Sequence, residues 1–121
     1  MSDSAIEQEI QDKGLTAPRI TPGDIERSIR SEFYFTAGQG VLGESAMGTQ
    51  PAGNADSLNR LTFCVLVLAN GFTVTGESAC VSKANFDADI GKKVARTNAL
   101  AKIWPLMGYA LMQNLADQAA Q

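Results

Sequence analysis

Two strand-like runs meet at Asn70-Gly71. The first runs from Leu61 to Ala69 and the second from Phe72 to Val81. Asn-Gly favours a two-residue hairpin turn, because both central positions of that turn need positive φ. Such a turn sets Ala69 opposite Phe72 and Phe63 opposite Ser78. One face then carries Leu61, Phe63, Val65, Val67 and Ala69 with Phe72, Val74, Gly76, Ser78 and Cys80. That face is the expected core. The other carries Thr62, Cys64, Leu66 and Leu68 with Thr73, Thr75, Glu77 and Ala79, a mixed set. Cys64 and Cys80 fall on opposite faces, so they are expected to be unbonded thiols. A lone hairpin is marginal in water. It must pack on helices or join a hairpin from a second subunit.

The flanking segments read as helices. Residues 2–13 form a short one, capped by Ser2 or Asp3, with Ile6 and Ile10 on one face and Gly14 as its stop. That thin stripe makes residues 1–18 either a loosely attached arm or a docking arm. Thr21-Pro22-Gly23-Asp24 opens a second helix over 22–36, with Ile25, Ile29 and Phe33 at four-residue spacing. Residues 37–57 hold five glycines and Pro51, and read as a long loop. A third helix covers 86–118, capped by Asn85 and kinked at Pro105. Its expected stripe is Phe86, Ile90 and Val94, extended by Ile103 and Met107. The expected fold is therefore α+β: a central antiparallel hairpin, 61–69 and 72–81, packed by helices 22–36 and 86–118. Residues 1–121 read as one domain.

Composition removes several function classes. With no histidine, the commonest general base and the usual zinc sites are missing. A net charge of −3 argues against a nucleic-acid partner. No apolar run approaches the ~20 residues of a membrane span. The polar start Met1-Ser2-Asp3-Ser4 is unlike a signal peptide. No cofactor is called for.

The one basic stretch lies at 83–102, with five basic and two acidic residues. Within it Lys92 and Arg96 share a helical face and can grip a phosphate. Asp89 and Lys93 offer the simpler alternative of a solvated face with a surface pair. Tyr34, Trp104 and Tyr109 are candidates to stack a nucleobase, although aromatics at helical spacing are more often core. Gly38-Gln39-Gly40-Val41-Leu42-Gly43 has the glycine spacing of a dinucleotide loop but follows no strand in this reading, so a plain loop is expected. Glu77 stands alone and reads as structural. Between Ile103 and Gln121 the only charged residue is Asp117, which points to a buried or subunit-contacting helix.

Leu61-Thr-Phe-Cys-Val-Leu-Val-Leu68, followed by Asn70-Gly-Phe-Thr-Val-Thr-Gly-Glu-Ser-Ala-Cys80, resembles the hairpin of the gp-forty-nine-like family of small tailed-phage and prophage proteins. Asn85-Phe-Asp87, Gly91, Lys102-Ile-Trp-Pro-Leu106 and Gly108-Tyr109 continue the likeness, and Thr21-Pro22, Asp24-Ile25 and Tyr34-Phe35 fit its front end. The resemblance covers residues 19–115. It implies a phage gene product made in the host bacterial cytoplasm, and brings no catalytic or ligand residues with it. Three readings follow. The first is a non-enzymatic homo-oligomer that sequesters a small phosphorylated immune signal through Lys92, Arg96, Trp104, Tyr109 and Tyr34. The alternative is a protein–protein inhibitor of a host defence or metabolic enzyme. A nucleotide hydrolase is a distant third.

Overall fold

The computed structural model describes residues 3–45 and 53–121. Helix α1 (Asp3–Asp12) and helix α2 (Pro22–Arg27) precede strand β1 (Ile29–Thr36). Helices α3 (Ala37–Glu44) and α4 (Ala55–Asn59) follow, then strands β2 (Leu61–Leu68) and β3 (Thr73–Ala79). A 3-10 turn at Lys83–Asn85 leads into helix α5 (Ala88–Ala119). The fold is α+β: a three-stranded antiparallel sheet of order β1-β2-β3, with α5 against one face.

Strand β1 replaces most of the expected 22–36 helix. The helix does start at Thr21, whose side chain accepts from the Asp24 amide while Asp24 accepts from the Thr21 amide. It stops after six residues. Ser28 caps it and its hydroxyl donates to the Ile25 carbonyl, taking a backbone acceptor that the next helical turn needs. The following Ile29-Arg-Ser-Glu-Phe-Tyr-Phe-Thr36 is rich in strand-favouring side chains. Pairing it with β2 supplies the partner that a lone hairpin lacks. Period-four spacing of Ile25, Ile29 and Phe33 is thus incidental: Ile25 is buried, but Phe33 is 57% exposed.

The hairpin exists, but its register differs by one residue. Phe63 faces Glu77 and Cys64 faces Gly76. The Gly71 amide donates to the Leu68 carbonyl, and the Leu68 amide to the Phe72 carbonyl. The loop therefore has three residues, Ala69 to Gly71, with only Gly71 at positive φ (92°). A turn closed by one left-handed glycine is the three-residue alternative to the two-residue form. The Asn70 side chain accepts from the Phe72 amide and steadies it. A one-residue slip exchanges the two faces for the pairing strand. The core face is the one expected to be mixed: Thr62, Cys64, Leu66 and Leu68 are buried, with Val74 and Gly76 of β3. Phe63, Val65 and Val67 lie on the half-covered face, where Phe35 stacks on Phe63 at 5.4 Å. Glu77 moves to that outer face as well. Both thiols are free as expected, although in this register Cys64 and Cys80 fall on the same side rather than on opposite faces.

Helix α5 is continuous through Pro105 for 32 residues. Its cap is Asp87, whose carboxylate accepts from the Ile90 amide, while Asn85 sits in the preceding 3-10 turn. The buried stripe is Gly91, Ala95, Ala99 and Ile103, at strict four-residue spacing. Ile90 and Val94, expected in the core, are 59% and 43% exposed. Small residues win that face because the helix lies nearly in van der Waals contact with the sheet backbone at Gly76. A Cβ there would sit 2.1 Å from the Ala95 carbonyl oxygen and 2.3 Å from the Ala99 nitrogen.

The glycine-rich segment is also partly helical. Thr36 and Gln39 cap each other at the start of α3, so Gly38, Gly40 and Gly43 ride on a helix. Gly40 packs on the Phe35 ring. The middle of the expected loop, 46–52, and the Ser2 cap lie outside the described residues.

Candidate functional site

The basic face of α5 meets the sheet at Tyr34. The Lys92 ammonium stands 6.0 Å from the Tyr34 ring centre, at the outer reach of a cation–π contact. The Tyr34 hydroxyl donates to Glu32 at 3.2 Å. Burial raises the Tyr34 phenol to about 12, with Cys64 and Glu32 adding to it. Burial also pushes the Cys64 thiol up, so it is a poor nucleophile. These placements follow from the register, since Tyr34 faces Cys64 across β1 and β2.

Arg96 is already engaged. Its guanidinium forks onto Glu26 at 2.8 and 3.1 Å and donates to Glu32 at 3.0 Å. The hydrogen bonds from Arg96 hold the Glu26 carboxyl below its usual range, and Glu26 and Glu32 raise the arginine further. One arginine between two carboxylates leaves a local charge of about −1, which repels a phosphate. Lys92 and Arg96 are neighbours on the helix, but only Lys92 is available to an anion. Glu26 and Glu32 are the partners that spacing along the chain did not reveal. They come from α2 and β1, far from Arg96 in sequence. Two converging carboxylates also suggest acid–base chemistry, yet both are held as acceptors by the same cation.

Replacing Arg96 with alanine should therefore cost stability as well as charge. Exposed ion pairs contribute up to about 1 kcal/mol each, and this one ties three elements together, so a loss of about 1 kcal/mol at pH 7 is expected. Glu26 has a depressed folded-state pKa, so its contribution is present above the ordinary glutamate value and fades as pH falls through the folded one. Urea unfolding of R96A and the parent should differ at neutral pH and converge in acid.

The remaining predicted residues are dispersed. Trp104 is half-buried against the core and borders α1, about 18 Å along the helix from Lys92. Tyr109 is 73% exposed, about 26 Å from Lys92. No single small ligand touches all five within one copy of the chain.

A cavity that the sequence did not flag lies at the other end of the sheet. It has a volume of about 400 Å³ and opens between the hairpin loop and α5. Leu68, Phe72, Leu106, Met107 and Ala110 line it, with Ser28 and Asn70 as polar groups. Phe72 is 56% exposed. Volume and apolar lining with a few polar groups suit a small-molecule site. Its only sequence signal was Phe72, an aromatic placed directly after the loop.

Helix α5 runs about 48 Å, whereas an eight-residue strand spans about 26 Å. From Tyr109 onward it carries exposed Tyr109 and Met112 (69%) and no charge before Asp117. Among the described residues, no helix is long and apolar enough to cross a membrane.

No curated protein matches the chain, and no solved structure does. Residues 20–115 match the phage protein (N4 Gp49/phage Sf6 gene 66) family, a span running from the approach to α2 through most of α5. The chain belongs to that phage protein family.

Proposed function

We propose that this phage protein is a non-enzymatic accessory factor that counters host immunity in the bacterial cytoplasm by sequestering a small nucleotide-type signal as a homo-oligomer. The observation that carries this reading is the cavity beside Phe72. It is large enough for a nucleobase and ribose, apolar enough to hold the base, and bordered by the charge-poor part of α5. A second copy packed on that helix closes the cavity's open side. The phosphate is then met by cations of the partner copy, since Arg96 is committed to Glu26 and Glu32 and the same copy's Lys92 stands about 21 Å along α5 from Leu106.

Calorimetry against cyclic dinucleotides and cyclic ADP-ribose isomers tests the reading. Binding is expected, and Phe72→Ala should weaken it by roughly tenfold or more, the value of one lost stacking contact. Lys92→Ala should weaken it less than Phe72→Ala. No heat above background with any of these ligands counts against sequestration.

The second reading, a protein–protein inhibitor of a host enzyme, draws support from the neutralised Arg96. A cavity without a cation in its lining suits an apolar side chain of a protein partner as well as a base. A stoichiometric host protein captured by the chain, together with silent calorimetry, favours it.

A further inference from the structure

Helix α1 lies outside the family match, which begins at Ile20. The surface it rests on lies inside that match: Ile20, Pro22 and Trp104. Helix α1 has no buried residue, and Ile6 on its underside remains 42% exposed. A space of about 300 Å³ persists between Ile6, Ile10, Ile20, Pro22 and Trp104. The apolar contact is therefore incomplete. Among the described residues, one ion pair ties the helix to the segment that follows it. Arg19 forks onto Glu7 at 2.6 and 2.7 Å, and Gln11 donates to the same carboxylate at 2.7 Å. Between α1 and α2 the chain passes through Gly14, at φ 68°, and Pro18.

We propose that the groove at Trp104 is a docking site for an amphipathic helix, and that α1 is its displaceable occupant. The bound helix itself defines the chemistry of a competing partner: aliphatic side chains four residues apart and a carboxylate beside them, aimed at Arg19. Ile6, Ile10 and Glu7 supply that pattern in cis. An incoming helix that buries more than Ile6 does, and offers the same carboxylate, exchanges with α1 without disturbing the sheet. The core residues nearest the groove, Ile25 and Ile103, are buried. This site is separate from the cavity at Phe72 and does not depend on the ligand proposed there.

Trp104 is the only tryptophan, so its emission reports the groove directly. In the full-length protein, Glu7→Lys places two cations together and should release α1. Emission should shift to the red, and iodide quenching should rise several-fold. A labelled peptide covering residues 2–15 should bind this variant at least tenfold more tightly than it binds the parent, whose groove is filled. The same peptide with Ile6→Asp and Ile10→Asp should not bind. Arg19→Ala is the second releasing variant for the emission and quenching readouts; it also removes the cation that the peptide's Glu7 needs, so peptide binding is read in Glu7→Lys. Unchanged Trp104 emission in both variants, or equal peptide binding by the parent and Glu7→Lys, overturns the proposal.

Discussion

Gly76→Val should destabilise the protein by roughly 3 kcal/mol or more, the upper range of overpacking in a close-packed interior. Valine is a better strand residue than glycine by up to about 1 kcal/mol, so propensity alone argues the other way. Geometry decides the sign. The new Cβ falls 2.1 Å from the Ala95 carbonyl oxygen and 2.9 Å from the Ala99 Cα. Those are backbone atoms of a long helix, and no side-chain rotation relieves them. Helix α5 has to lift from β3, which opens the packing of Ala95, Ala99 and Ile103, all fully buried. For a domain with a typical stability of about 5–15 kcal/mol this is a large fraction. With a urea m-value of about 1–3 kcal/mol/M, the midpoint should fall by about 1 M or more. A midpoint within experimental error of the parent means that the helix does not lie on Gly76.

Leu66→Ala should cost about 3–4 kcal/mol, within the range of buried leucine truncations. Leu66 is on the central strand with 0% exposure and belongs to the one core cluster that joins the sheet to α5. Its neighbour Val65 is on the half-covered face. Val65→Ala should therefore cost about 1 kcal/mol, close to the transfer of the deleted carbons alone. The pair reads out the register. If the Asn70-Gly71 turn had two residues, the order of the two effects would reverse.

That reversal shows where sequence reasoning reached its limit. The hairpin and its turn were legible from Asn70-Gly71, because that dipeptide has a physical reason to be there. The loop length was not, since Gly71 serves two-residue and three-residue loops alike, and one residue decides which face is core. The sequence of strand β1 reads as helix because Ile25, Ile29 and Phe33 satisfy a period of four by coincidence, whereas its pairing partner lies about 30 residues further on. The stripe on α5 was missed for a different reason. Gly91, Ala95 and Ala99 contribute little to a hydrophobic pattern; they are buried for their small size. The long helix itself, its start near residue 87 and its charge-poor end were legible.

The candidate site was legible in part. The sequence singles out Lys92, Arg96 and Tyr34, and the structure gathers them on one side of the sheet. Glu26 and Glu32 were invisible as partners of Arg96, because only the tertiary fold brings α2, β1 and α5 together. Their presence shifts the weight of the proposed site from the basic face to the cavity at Phe72. Trp104 and Tyr109 stay apart from both clusters of contacts, and Trp104 instead borders α1.

A native mass spectrum of freshly purified protein tests the functional account most directly, because it reports assembly and retained ligand in one experiment. The account predicts an oligomer carrying a small phosphorylated molecule, detected as a mass excess over a whole number of chains. It also predicts that replacing Leu111 and Met112 by lysine gives smaller particles that have lost the excess, with the far-UV spectrum of the fold preserved. A bare monomer at high micromolar concentration, with no retained mass, would contradict it.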